Sequence, residues 1–181
     1  RLLEQFGIRT VRESIGWRLT ETQGGRFDFS LIESRIDAAR RTGLQIVWTL
    51  CHYGWPAGIH LESQEFVERF ACFCRAAARY LAPLSEGNTV YSPMNEISYM
   101  TWGLCSNLLS NGDQRDYVDA TEVKRQLVRA TIAGCDAIWE SDPHARILHC
   151  DPLIHVVASD NRPDLNAAGA SCAQSQFECW D

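Results

Sequence analysis

At 181 residues the chain can bury one sizeable core, and 45% hydrophobic with 22% charged residues is the composition of an ordinary globular protein. A formal net charge of −6, with Lys and Arg scattered, argues against a nucleic-acid partner, and the want of any apolar run of spanning length argues against a membrane one. Eight cysteines, at 51, 72, 74, 105, 135, 150, 172 and 179, form no CxxC pair, so no zinc site is expected; several fall in apolar helical stretches as small core residues, and a reducing, cytoplasmic setting is expected.

The elements alternate along the chain. Residues 2–7, "LLEQFG", are predicted to close a helix at Gly7, and 8–17, "IRTVRESIGW", to form a strand. "SLIESRIDAARRTG" (30–43) has apolar residues at 32, 36 and 39, Ser30 as N-cap and Gly43 as stop, the pattern of a helix. "LQIVWTLCHYGW" (44–55) is a nearly continuous apolar run, as in a strand buried on both faces. Residues 63–84 form an amphipathic helix ended by Pro83, and "TVYSPMNEIS" (89–98) the next strand. A loop of about two dozen residues is expected after it, with a turn signal at "SNGD" (110–113). Residues 122–143 read as a helix closed by Asp142-Pro143, "ARILHCDPLIHVV" (145–157) as a strand, and 160–181 as a loop running into a helix.

That alternation predicts an α/β fold with a parallel sheet. No Gly-rich phosphate loop follows a strand, which disfavours a dinucleotide-binding fold. In a (β/α)8 barrel, chemistry sits at the C-terminal strand ends, and here those ends carry "RESIGW", "CHYGWP", "MNEIS" and "CDP".

Three of these strand ends resemble the glycoside hydrolases of clan A, most closely family 1, the β-glucosidase type. "TVRESIGWRLTE" is similar to that family's R-F-S-I-S-W-S-R, with Arg12, Ser14, Ile15 and Trp17 in register; "WTLCHYGWPAGI" is similar to T-L-x-H-W-D-L-P, with Thr49, Leu50, His52 and Pro56 matching and Tyr53 in the place of Trp. "SPMNEI" is similar to T-F-N-E-P, which carries the acid/base glutamate, although Ile97 stands where Pro is usual. The resemblance implies one domain over residues 1–181 holding strands two to five of a (β/α)8 barrel. Both ends of the chain, Arg1 and "FECWD", are expected to be cuts, with the family's nucleophile beyond residue 181 and the piece inactive by itself.

The function implied is retaining hydrolysis of β-glucoside-like substrates, which needs two carboxyl groups about 5–5.5 Å apart. Glu96 would be the acid/base and Asn95 the donor to the sugar 2-OH; Arg12 would hold the nucleophile ionised and His52 would bond a sugar hydroxyl. Trp17, Tyr53, Trp55, Tyr99 and Trp102 are aromatics at strand ends suited to pyranose faces, and Trp102 is the candidate leaving-group platform; any of them could instead pack in the core. Cys51 should face away from His52, which argues against a Cys–His dyad. His149, Asp151 and His155 could share a strand face, but Pro152 interrupts it, and no metal or cofactor is expected. The expected partner is a carbohydrate substrate. Another clan-A glycosidase, of β-galactosidase or endoglucanase type, or a non-catalytic carbohydrate-binding barrel are the competing readings.

Overall fold

A computed structural model describes residues 2–22, 25–85, 88–110 and 117–180. Its sheet has four strands, β1 (Thr10–Ser14), β4 (Gln45–Cys51), β5 (Val90–Met94) and β6 (Arg146–Ile147), in the order β1-β4-β5-β6 and all parallel. Arg12, Val47, Val90 and Arg146 stand in register across it. Two short antiparallel strands, β2 (Glu21–Thr22) and β3 (Arg26–Phe27), make a separate hairpin that the sequence reading did not anticipate. The described strands do not close into a barrel; β1 and β6 each pair on one side only.

Helices α1 (Leu2–Gln5) and α2 (Trp17–Thr20) flank β1, and Gly7 has the left-handed φ of 67° expected of a helix stop. Helix α3 (Ser30–Thr42) ends on Gly43 in the left-handed region, but its first turn is capped by Asp28, whose Oδ1 accepts from the Ser30 amide at 2.9 Å, and not by Ser30 itself. Helix α4 (Gln64–Leu81) starts on Ser63, whose side chain accepts from Phe66 N, and passes at Ala82–Leu84 into a 3₁₀ turn that holds Pro83.

Two expectations are corrected. The loop after β5 contains a helix, α5 (Ile97–Cys105), so Trp102 is a helical residue; the expected turn at 110–113 lies, beyond Ser110, outside the described residues. The strand expected over 145–157 shrinks to β6 plus an isolated bridge from Asn95 to Cys150. Pro152 has no N–H to continue a ladder, and β6 has a partner on one side only. Helix α6 (Ala120–Ser141) returns the chain to β6, and α7 (Asn166–Ser175) lies in the C-terminal segment.

The core lies between the sheet and α4 and α6. Gly134 of α6 allows close approach: a Cβ there would sit 3.0 Å from both Cys74 Sγ and a Phe70 ring carbon of α4. Trp17 is wholly buried, with its ring 5.5, 5.2 and 5.9 Å from those of Phe66, Phe70 and Phe73. Trp55 is also wholly buried and donates to Ile59 O at 2.9 Å. These two tryptophans therefore belong to the core. All eight cysteines are free thiols, and no helix among the described residues is long and apolar enough to cross a membrane.

Candidate active site

Parallel strands put their C-terminal ends on one rim, and the site is built there. On β1, successive side chains part to opposite faces: Glu13 lies 3.7 Å from Arg35 of α3, on the helix side, while Arg12 crosses β4 on the other face. Arg12 Nη1 donates to Asn95 Oδ1 at 2.8 Å and to Cys150 Sγ at 2.7 Å.

A change of register brings Asn95 to this face. Tyr91 pairs with Ile147 and Asn95 with Cys150, so four steps along β5 oppose three along its neighbour. The offset lies on the β6 side only, since β5 keeps its register with β4 through Ser92 and Met94. Asn95 is only 1% exposed, and Cys150 Sγ lies 3.7 Å from its Oδ1 and 3.6 Å from Ser92 Oγ. With Oδ1 claimed by Arg12, the amide NH2 is the donor end of Asn95.

Glu96 follows in the left-handed region at φ 47°, an uncommon conformation for a residue with a Cβ. It is the N-cap of α5, yet its side chain makes no cap bond. Asp151, after β6, does that work instead: its carboxylate accepts from Ser98 N at 3.0 Å and from Ser98 Oγ at 2.7 Å. The Glu96 carboxyl is thereby left to accept from the Tyr53 hydroxyl through Oε2. Tyr53, just past β4, also has a positive φ, 61°. Burial, and then the hydrogen bond to Glu96, push its phenol well above the ordinary tyrosine range, while a bond from Asn95 works the other way.

His52 packs edge-on against Tyr53 with centroids 4.7 Å apart. Burial first, and then the charge of Arg12, hold its pKa below the ordinary value, against an upward pull from Glu96. The aromatic row continues outward from Tyr53 to Tyr99 at 5.3 Å and to Trp102 at 5.6 Å, where Trp102 is 53% exposed. Cys51, by contrast, is buried, turns its thiol to Gly54 O and is pushed up to about 12 by burial, so it is not poised as a nucleophile.

Arg12, His52, Asn95, Glu96 and Trp102 thus all gather on this rim, the first four around one point and Trp102 at the end of the aromatic row. Sequence reasoning missed the Tyr53–Glu96 bond and the roles of Cys150, Asp151 and Ser98. His149, Asp151 and Cys179 offer ligand atoms within 4.8 Å of one another, and His155 is not among them. Cys179 Sγ donates to Asp151 Oδ2 at 2.8 Å, and its thiol is raised to about 11, chiefly by burial, so these groups satisfy one another as a hydrogen-bonded set.

No family model matches the chain, and no curated protein matches it by sequence. Solved structures do match its fold. The AHE enzyme from Alicyclobacillus herbarius superposes with a TM-score of 0.81 at 17% identity, over 97% of this chain and 40% of that one. A family 1 β-glucosidase from Thermotoga maritima gives 0.78 at 19% identity, again over 97% and 40%. The virulence factor SghA, in complex with its substrate analog salicin, gives 0.79 at 16% identity, over 98% and 40%. This chain spans about 40% of the length of each of these structures. At the level of fold the resemblance read from the strand-end motifs holds: the chain is a partial (β/α)8 barrel like the corresponding part of the family 1 β-glucosidases.

Proposed function

We propose that this chain supplies the acid/base half of the site of a retaining glycosidase acting on β-glucoside-like substrates, with the nucleophile contributed from outside residues 1–181. The observation that carries the reading is the Asn95–Glu96 pair at the end of β5, the amide tied by Arg12 and the carboxyl by Tyr53, on the rim where a barrel of this fold does its chemistry.

Glu96 protonates the glycosidic oxygen as the bond to the anomeric carbon breaks, and later takes a proton from the water that hydrolyses the glycosyl-enzyme. Asn95 donates its NH2 to the sugar 2-OH, a bond that tightens as the ring approaches its oxocarbenium-like transition state. His52, held neutral by burial and by Arg12, can both donate to and accept from a hydroxyl. Arg12 faces the incoming nucleophile carboxylate and keeps it ionised. Trp102, at the outer end of the aromatic row, offers its face to the leaving group. Eight unpaired thiols fit a reducing compartment, and we place the protein in the cytoplasm on that ground.

The test is made on the whole protein that carries this chain. Glu96→Gln should lower glycosylation by more than about a hundredfold on substrates with poor leaving groups and far less on activated aryl glycosides, which need little protonation. A small, uniform loss on both would remove Glu96 from the role. Parallel assays on aryl β-glucosides, β-galactosides and cello-oligosaccharides decide the substrate class. Binding of sugar without turnover of any of them would favour a carbohydrate-binding barrel.

A further inference from the structure

The Tyr53–Glu96 hydrogen bond joins two residues that both depart from ordinary backbone geometry. Tyr53 (φ 61°) and Glu96 (φ 47°) occupy the left-handed region, which costs of the order of 1 kcal/mol or more for residues with a Cβ. They follow adjacent strands, and each unusual turn brings its side chain toward the other. Their neighbours hold them there. Tyr53 is wedged between His52 and Tyr99, and Glu96 is released from capping α5 because Asp151 takes Ser98. Two strained residues that meet in one contact are the mark of a geometry the fold has been built to keep.

From this we infer that Tyr53 is a positioning residue for Glu96: it fixes the carboxyl by its Oε2, so that Oε1 is the oxygen that exchanges the proton with the glycosidic oxygen and with water. The inference rests on the acid/base reading of Glu96. In the first step the nucleophile carboxylate bonds to the anomeric carbon as the C–O bond breaks, and the proton on Glu96 Oε1 moves to the leaving oxygen, which keeps the electron pair of that bond. The negative charge left on Glu96 strengthens the bond from Tyr53, so the phenol helps the acid to let go. In the second step water gives its proton to Oε1 as its oxygen joins the anomeric carbon and the bond to the nucleophile breaks. Tyr53 keeps its own proton throughout, which agrees with the upward push on its phenol from burial and Glu96.

Two measurements test this. In the whole protein that carries this chain, the Glu96 side-chain carbon, assigned by its loss in Glu96→Gln, is followed by carbon-13 NMR with and without Tyr53→Phe. Losing the phenol donor should displace the resonance of the ionised carboxyl carbon. The reciprocal experiment follows tyrosine ionisation by ultraviolet absorption: Glu96→Gln should bring one tyrosine back toward its ordinary range. Tyr53→Phe should also lower kcat/KM about tenfold for poor leaving groups but less than about threefold for activated ones. A ring that only packs would move neither the carboxyl resonance nor the tyrosine ionisation and would give no leaving-group dependence, and that result overturns the inference. If Glu96→Gln shows no leaving-group dependence while the carboxyl resonance and the tyrosine ionisation still shift, the contact stands and the acid/base reading fails. If Glu96→Gln behaves as an acid/base and Tyr53→Phe changes nothing, only the role of Tyr53 falls.

Discussion

Replacing Glu21 should be strongly damaging although it lies outside the candidate site. Its carboxylate, 2% exposed, accepts from Trp17 Nε1 at 2.7 Å and from Arg69 Nε at 3.1 Å. It therefore ties the start of β2 to α4 and holds a wholly buried aromatic of the core. Glu21→Ala removes both acceptors. The bond from a wholly buried indole N–H to a charged oxygen is worth about 1.5–3 kcal/mol, and leaving that N–H unpaired adds its desolvation cost. Arg69 is about one-third exposed, so its share is discounted to about 1 kcal/mol or less, since water can replace its partner. The expected loss is about 3–4 kcal/mol, within the range for breaking one side of a buried ion pair. For a chain of this size that lowers Tm by roughly 6–16 °C. Glu21→Gln, which keeps one acceptor and the volume, should cost about half as much.

The assay is thermal and urea unfolding of Glu21→Ala, Glu21→Gln, Arg69→Ala and the double variant, near neutral pH. The double-mutant cycle should give a Glu21–Arg69 coupling of about 1 kcal/mol, with the larger part of the Glu21→Ala loss surviving in the Arg69→Ala background because it belongs to Trp17. A Tm fall under about 2 °C, or a loss that vanishes when Arg69 is absent, would refute the assignment of Glu21 as the partner of the buried indole.

Two further outcomes are expected. Asn95→Ala should reduce kcat/KM of the whole protein by tenfold or more on 2-hydroxy glycosides and by much less on their 2-deoxy analogues; equal penalties would make Asn95 purely structural. His52 and His149 both have depressed folded pKa values, from burial first, so the unfolded chain takes up protons near 6.5 while the folded chain resists them. Stability should therefore be full above that value and decline as pH falls through and below it, and His149→Gln should flatten the decline in Tm measured between about pH 7.5 and 5.

Helices α3, α4 and α6 were legible because each shows an apolar stripe between recognisable ends, and β4 because an apolar run between turn signals suits a central strand. Helix α5 was not. Its sequence, ISYMTWGLC, is apolar nearly all round, because Ile97, Met100 and Leu104 are buried while Tyr99 and Trp102 line the open rim, and periodicity has no polar face to find. Strand β6 was overread because an apolar run in the sequence does not reveal that its partner lies on one side only. Among site residues, those placed by strand alternation or by the Asn–Glu motif were within reach. Tyr53 was within reach only as a strand-end aromatic: nothing in the sequence says that it takes a left-handed φ and turns its hydroxyl to Glu96.

The arrangement around Arg12 bears on whether one cation can serve both halves of such a site. Here a single nitrogen, Nη1, makes the recorded contacts with Asn95 and Cys150. A guanidinium carries five N–H donors in a rigid plane, and those on Nε and Nη2 point elsewhere in that plane. Holding the Asn95 amide therefore does not exhaust Arg12, which can fix the donor end of the clamp and still meet a carboxylate arriving along the open face of the sheet. A lysine could not divide itself so, because one ammonium has no fixed fork to separate the two tasks. The buried amide in turn limits where the guanidinium can swing, so the same bond that orients Asn95 aims the remaining donors. In this reading the two halves of the site communicate through Arg12: whatever disturbs the amide beside the acid also disturbs the cation that meets the nucleophile.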